Sequence, residues 1–252
     1  MTTLFAPQAL LVDGWARNVR VEIGADGRIA RLERDALQAP GEAVLHDRVL
    51  LPAPADLHSH AFQRAMAGLA ERPGGGGDSF WTWRETMYAF LERLTPADVA
   101  AIAAQVQVEM LEAGFAAVGE FHYLHHAPGG RRYAEPAAMS SAIAEARAQT
   151  GIGLTHLPTL YSRGGVDDRP CAGGQLRFAN DIDGFAELLH AIETALADLP
   201  ADCRLGVAAH SLRAVRADDL TALVALRPGV PLHIHAAEQV REVEAVEAKL
   251  GA

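Results

Sequence analysis

An α/β fold is what this sequence predicts: a small β unit followed by a parallel barrel built from βα repeats. Three observations carry that expectation. From residue 49 onward, strand-like and helix-like stretches alternate five times, the pattern of a parallel sheet with covering helices. The first 48 residues instead hold short alternating runs separated by turn signals. The histidines, finally, collect at the ends of the strand-like stretches, and polar residues at the C-terminal ends of successive parallel strands mark the active face of a (β/α) barrel.

In the first unit, residues 1–48, Ala9-Leu10-Leu11-Val12 and Val19-Arg20-Val21-Glu22-Ile23 have strand character. Ala25-Asp26-Gly27 is a turn signal, and Arg28 to Leu32 alternates polar and apolar residues. A small antiparallel, β-sandwich-like unit is expected there. The second unit, residues 49–252, is expected to place strands at 48–57, 115–122, 152–160, 204–210 and 230–235. Its helices are expected at 96–113, 136–149, 181–198, 216–227 and 238–250. Thr95-Pro96 supplies a helix cap followed by proline in the first turn. The glycine-rich stretch Pro73 to Gly77 lacks the Lys-Ser/Thr of a phosphate-binding loop, so it is expected to be a flexible connection.

Composition narrows the function. With 252 residues, half of them hydrophobic, the chain can bury a sizeable core. A formal net charge of −10 argues against nucleic acid as a partner. Cys171 and Cys203 are too few for a disulfide framework and suggest reduced thiols. The N-terminus lacks the pattern of a secretory leader, and no apolar stretch is long enough for a bilayer, so a cytoplasmic protein without a membrane partner is expected.

The chemistry starts at His58-Ser59-His60, which ends an apolar run beginning at Val49. Residues i and i+2 of a strand share a face, so both imidazoles leave on one side, spaced to hold one ion. Catalytic zinc uses three protein ligands and an open position. The third ligand is sought in Pro231-Leu232-His233-Ile234-His235-Ala236-Ala237-Glu238. His233 and His235 share a face, and spacing does not choose between them; His235 lies nearer the strand end. Glu238, three residues on, is placed to reach a water on the ion without ligating it. The ion would lower the pKa of that water. Glu238 would move protons between water, attacked carbon and leaving nitrogen. A lone His-x-His is a weak signal; the later His-x-x-Glu and the strand-end histidines His122 and His210 strengthen it. His233 is expected to be packed or to support a ligand, and His156 to be structural. His125, His126 and His190 are expected to be solvated or to bond locally.

These motifs resemble the amidohydrolase superfamily, whose members open with a small β unit and then Pro-x-x-x-Asp-x-His-x-His, approximated here by Pro52 to His60. His235-Ala236-Ala237-Glu238 is similar to strand five of its mononuclear deaminases. Asp56 to Arg64, Ser79 to Arg84, Gly119 to His126 and Ala209 to Val215 together resemble the formimidoylglutamate deiminase family. The resemblance implies one divalent metal ion, expected to be zinc, on His58, His60 and His235, with Glu238 as the catalytic proton shuttle. It implies substrate contacts from Gln63, Arg84, Tyr123, His210 and Arg213. The implied reaction hydrolyses N-formimidoyl-L-glutamate to N-formyl-L-glutamate and ammonia in histidine degradation. The arginines suit a small dicarboxylate amidine, because a guanidinium pairs with a carboxylate as a planar fork. Trp81 and Trp83 are expected to pack in a loop. A homodimer is implied as well.

The chain also departs from the family pattern. Five βα units are counted where a closed (β/α)8 barrel has eight, so the barrel is expected to be incomplete. The family's strand-six histidine and strand-eight aspartate have no counterpart. An N-terminal part of a deiminase, binding zinc weakly and turning over poorly, is therefore expected. The alternatives are a cyclic-amidine (purine or pterin) deaminase of the same superfamily and a non-catalytic truncated product.

Overall fold

The structure, a computed structural model, describes residues 2–69 and 80–251. The glycine-rich stretch 73–77 and Ser79 lie outside the described residues. The chain forms two compact units, Met1–Pro54 and Ala55–Ala252.

The first unit holds β1 (Thr2–Leu11), β2 (Gly14–Ile23), β3 (Ile29–Glu33), β4 (Ala43–Val44) and β5 (Val49–Leu50). Its sheet runs β3-β2-β1-β4, with β5 also paired to β1. The β1/β2 and β2/β3 pairs are antiparallel, as the alternation predicts. Beyond that core, β4 and β5 pair parallel to β1. Ala9, Val19 and Val21 form the apolar centre, with Leu4, Leu11, Ile23 and Leu50 against them. One strand was expected over 48–57, and the structure splits it. Val49–Leu50 joins this first sheet, and the next strand begins at Ala55. Pro52 and Pro54 lie between; proline has no N–H to give a ladder, so the strand cannot run through.

The second unit alternates strand and helix: β6 (Ala55–Ser59), α1 (Phe80–Leu91), α2 (Pro96–Glu112), β7 (Ala117–His122), α3 (Ala138–Thr150), β8 (Gly153–Leu160), α4 (Ile182–Ala195), β9 (Cys203–Leu205), β10 (Val207–Ser211), α5 (Ala217–Leu226), β11 (Leu232–His235) and α6 (Val240–Leu250). The sheet order is β11-β10-β8-β7-β6, all parallel, with short β9 beside β8. This is a curled, incomplete barrel whose edges among the described residues are β6 and β11. The strand expected over 204–210 is broken at Gly206, where a Cβ would lie 2.6 Å from the Pro231 carbonyl oxygen.

The helices follow their end signals. Thr95 caps α2 reciprocally with Asp98, and Pro96 takes the first turn. The Asp181 side chain caps α4 through the Gly184 amide at 2.8 Å. Phe121, Leu154 and Leu157 from the sheet share one core with Leu91, Val99 and Ile143 from the helices. Leu160, Val207 and Ala209 share another with Phe185, Ile192 and Leu223.

Helix α1 is absent from the sequence-based expectation, which treats this region as loop. Its sequence is rich in aromatic residues, which are indifferent helix formers. Tertiary contacts hold it instead. Met87 and Leu91, four residues apart, are its buried positions. Arg177, fully enclosed at 0% exposure, donates to the Leu91 carbonyl, to the Leu94 carbonyl at 3.0 Å and to the His126 carbonyl at 2.8 Å. No helix among the described residues is long and apolar enough to cross a membrane.

Candidate active site

The site is built where side chains from the two edge strands converge. Pairing of β6 with β7 runs Ala55↔Ala117 and Asp56↔Val118, then jumps to Ser59↔Glu120, so β6 carries one extra residue. Such a bulge bends a strand and re-aims its side chains. The Asp56 carboxylate accepts from the His58 amide at 3.0 Å across it. Gly119 gives it room: a Cβ there would sit 2.8 Å from the Leu57 carbonyl oxygen. His58 lies in β6, His60 one residue beyond, and His235 ends β11.

Their Nε2 atoms form a triangle, with all three separations 3.1 Å. In a flat sheet, β6 and β11 would stand about 19 Å apart; curling has brought the edges together. The donor set fits a metal ion. Bonds of about 2.0–2.1 Å to a tetrahedral zinc put neighbouring nitrogens a little over 3 Å apart. The His60 Nδ1–H donates to the Phe121 carbonyl at 2.8 Å, which leaves Nε2 as the free donor to an ion. Burial, reinforced by the His235 ring, lowers the His60 pKa to about 3. Burial, with His58 beside it, lowers His235 to about 4. Neutral imidazoles are the form a metal requires. Phe121 stacks on His235 at 4.4 Å between centroids. His233 is half-buried and is not part of the triangle.

Beside the triangle lies a cavity of about 90 Å³. His60 and His235 open onto it, and Gln63, Arg84, Tyr123, His210, Arg213 and Glu238 all line it. Gln63 Nε2 donates to the Tyr123 hydroxyl at 2.9 Å. Arg84 donates to the Tyr88 hydroxyl at 2.5 Å and the Tyr161 hydroxyl at 3.2 Å, so its hydrogen-bond partners among the described residues are phenols. Arg213 is held differently, by Glu238 at 2.8 Å on one nitrogen and by Glu242 at 2.8 Å on another. Glu238 faces the cavity with its side chain one-third exposed, whereas Glu242 is buried. Burial holds His210 well below the usual imidazole range, with its Nδ1 3.1 Å from the Ser211 hydroxyl.

Other expectations change. Trp81 and Trp83 sit on α1 rather than in a loop; Trp83 lines the cavity, and Trp81 lies 5.7 Å beneath the Arg84 guanidinium. His122 ends β7 but is buried away from the cavity, beside His156 at 5.3 Å between centroids. As expected, His125 and His126 bond locally, to the Thr159 and Ala179 carbonyls, each at 3.0 Å, and His190 is exposed. Sequence reasoning missed Tyr88, Tyr161, Glu120 and Glu242. Tyr161 had a usable signal, since it directly follows a barrel strand. Glu242 had none, because an acid in the first turn of a helix is ordinary.

The chain belongs to the amidohydrolase family, whose profile matches residues 49–252. Residues 1–46 match the profile described as "Formimidoylglutamate deiminase HutF, N-terminal domain". Over all 252 residues the chain is 50% identical to formimidoylglutamate deiminase of Pseudomonas aeruginosa, covering 55% of that protein. It thus spans about half the length of the curated relative it matches. Among solved structures, an amidohydrolase from Brucella melitensis superposes with a TM-score of 0.93 at 46% identity, over 100% of this chain and 55% of that one. The zinc complex of atrazine chlorohydrolase from Arthrobacter aurescens gives a TM-score of 0.77 at 16% identity, over 100% of this chain and 56% of that one, a likeness of fold.

Proposed function

We propose that this site hydrolyses N-formimidoyl-L-glutamate to N-formyl-L-glutamate and ammonia, with one divalent ion, zinc, on His58, His60 and His235. The observation that carries the proposal is the triangle of Nε2 atoms opening onto a cavity lined by Glu238, Arg84 and Arg213. The 50% identical deiminase supports the choice of substrate. An ion on the three imidazoles supplies a Lewis acid that makes hydroxide accessible near neutral pH.

The chain's own residues do the rest. As water adds to the formimidoyl carbon and the C=N π bond opens, Glu238 carries one water proton to the imine nitrogen. It then carries the second proton, from the new hydroxyl, to the same nitrogen, so that the C=O forms as the C–N bond breaks and ammonia leaves. Arg84, hydrogen-bonded to phenols and to no carboxylate among the described residues, holds one substrate carboxylate. Arg213 holds the other. Gln63, Tyr123 and His210 orient the amidine between them. The free thiols Cys171 and Cys203 agree with a cytoplasmic setting.

Zinc-loaded protein should release ammonia from N-formimidoyl-L-glutamate and much less from formamidine, which lacks both carboxylates. Guanine stands for the cyclic-amidine alternative. Ammonia release preferring guanine, or indifferent to the carboxylates, would sink the proposal.

A further inference from the structure

Glu120 is a buried acid with no cation paired to it among the described residues. It is 2% exposed and accepts from the Ala61 amide at 2.8 Å, with the Ser59 side chain beside it. Burying a carboxyl group is costly unless its bonds serve the structure. These two partners flank His60. Ala61 opens the 3-10 turn Ala61–Met66, and His60 stands at its cap position without a side-chain cap bond. The His60 imidazole is instead committed to the Phe121 carbonyl and turned toward His58 and His235. The orphan amide at the start of the turn is therefore satisfied from the neighbouring strand, by Glu120.

The same stretch of β7 shapes the bulge from below. Gly119 lets the Leu57 carbonyl approach, and Asp56 ties the His58 amide on the other side of the extra residue. We propose that Glu120 is a positioning residue for the His58 and His60 pair, fixing the strand-to-turn corner by accepting from the Ala61 amide. The proposal rests on the metal-site reading above. A ligand set is productive only within about 0.5 Å of its geometry. Loss of the acceptor leaves a buried N–H unpaired and lets the corner relax.

The test is zinc affinity, by competition with a chromophoric chelator, together with the visible spectrum of the cobalt-loaded protein. Glu120→Gln keeps an acceptor oxygen at the same reach and should stay within about threefold of the parent, where loss of an outer support costs more. Glu120→Asp withdraws it by one methylene and should lose ~10–100-fold in affinity, with altered cobalt bands. Glu120→Ala should behave like the Asp variant; if it does not fold, the Asp and Gln pair still decides. Parent-like affinity in Glu120→Asp, or equal losses in Asp and Gln, would overturn the inference. A parent protein that binds no zinc would instead overturn the metal-site reading on which it rests.

Discussion

Arg213 bridges two carboxylates that differ in their surroundings. Glu242 is buried and acts as its anchor, while Glu238 is the exposed partner facing the cavity. The two glutamates therefore have separable effects. Glu238→Gln should cut ammonia release by ~10²–10⁴-fold, the usual worth of a general acid–base group, and leave zinc affinity in place. Glu242→Gln should destabilise the fold by about 1–3 kcal/mol in urea, the cost of weakening a buried hydrogen-bonded partner. It should also weaken N-formyl-L-glutamate binding, measured calorimetrically, because Arg213 loses its fixed side. At this scale the sequence was informative about residues carried by motifs. His58, His60, His235 and Glu238 come together, and the five lining residues expected from the resemblance join them around one cavity. Glu120 and Glu242 stayed invisible because their importance lies in partners distant along the chain, Ala61 and Arg213.

Among the elements, α1 depends most on its surroundings. It carries Arg84 and Trp83 into the cavity, yet its end is tied by one enclosed guanidinium. Arg177→Met should take the guanidinium donor from the Leu94 and His126 carbonyls together, and leave the Leu91 carbonyl with the Leu94 amide alone. A loss of about 2–4 kcal/mol in stability is expected, measured by urea unfolding. An unchanged midpoint would show that α1 does not depend on Arg177. Helices with end signals, such as α2 after Thr95-Pro96, are legible in the sequence. The bulge in β6 was not, because a register shift exists only relative to the partner strand.

For the molecule as a whole, buried ionisable groups shape stability against pH from two sides. Burial lowers His156 from 6.5 to about 3 and holds His122 and His125 well below the usual imidazole range. Each contributes stability that is present above 6.5 and is lost as pH falls toward the folded-state value. Glu120 works in the opposite direction. Burial raises it from 4.5 to about 8, with Asp56 nearby and the Ala61 and Ser59 bonds opposing, so its contribution is present below 4.5 and lost as pH rises through about 8. The urea midpoint should fall on both sides of a maximum, and Glu120→Gln should flatten the alkaline side alone. A midpoint independent of pH from about 5 to about 9, the range that spans the ordinary imidazole value of 6.5 and about 8 for Glu120, would contradict this. The alternation of strand and helix revealed the parallel sheet, but its curl shows only in the convergence of the His58 and His235 side chains from the two edge strands.

That curl has a mechanical meaning. His58 and His235 stand 177 positions apart in sequence, on opposite margins of one sheet. An ion held by both is a clasp across a very long ring, comparable in chain entropy to a disulfide closing a loop of that size, on the order of 4–5 kcal/mol. Occupancy and curvature then become a single variable. Stripping the ion should quicken amide exchange along β6 and β11 while β8, in the middle of the sheet, stays protected. An ion bound there would then act as a fastener for the two margins as well as a Lewis acid.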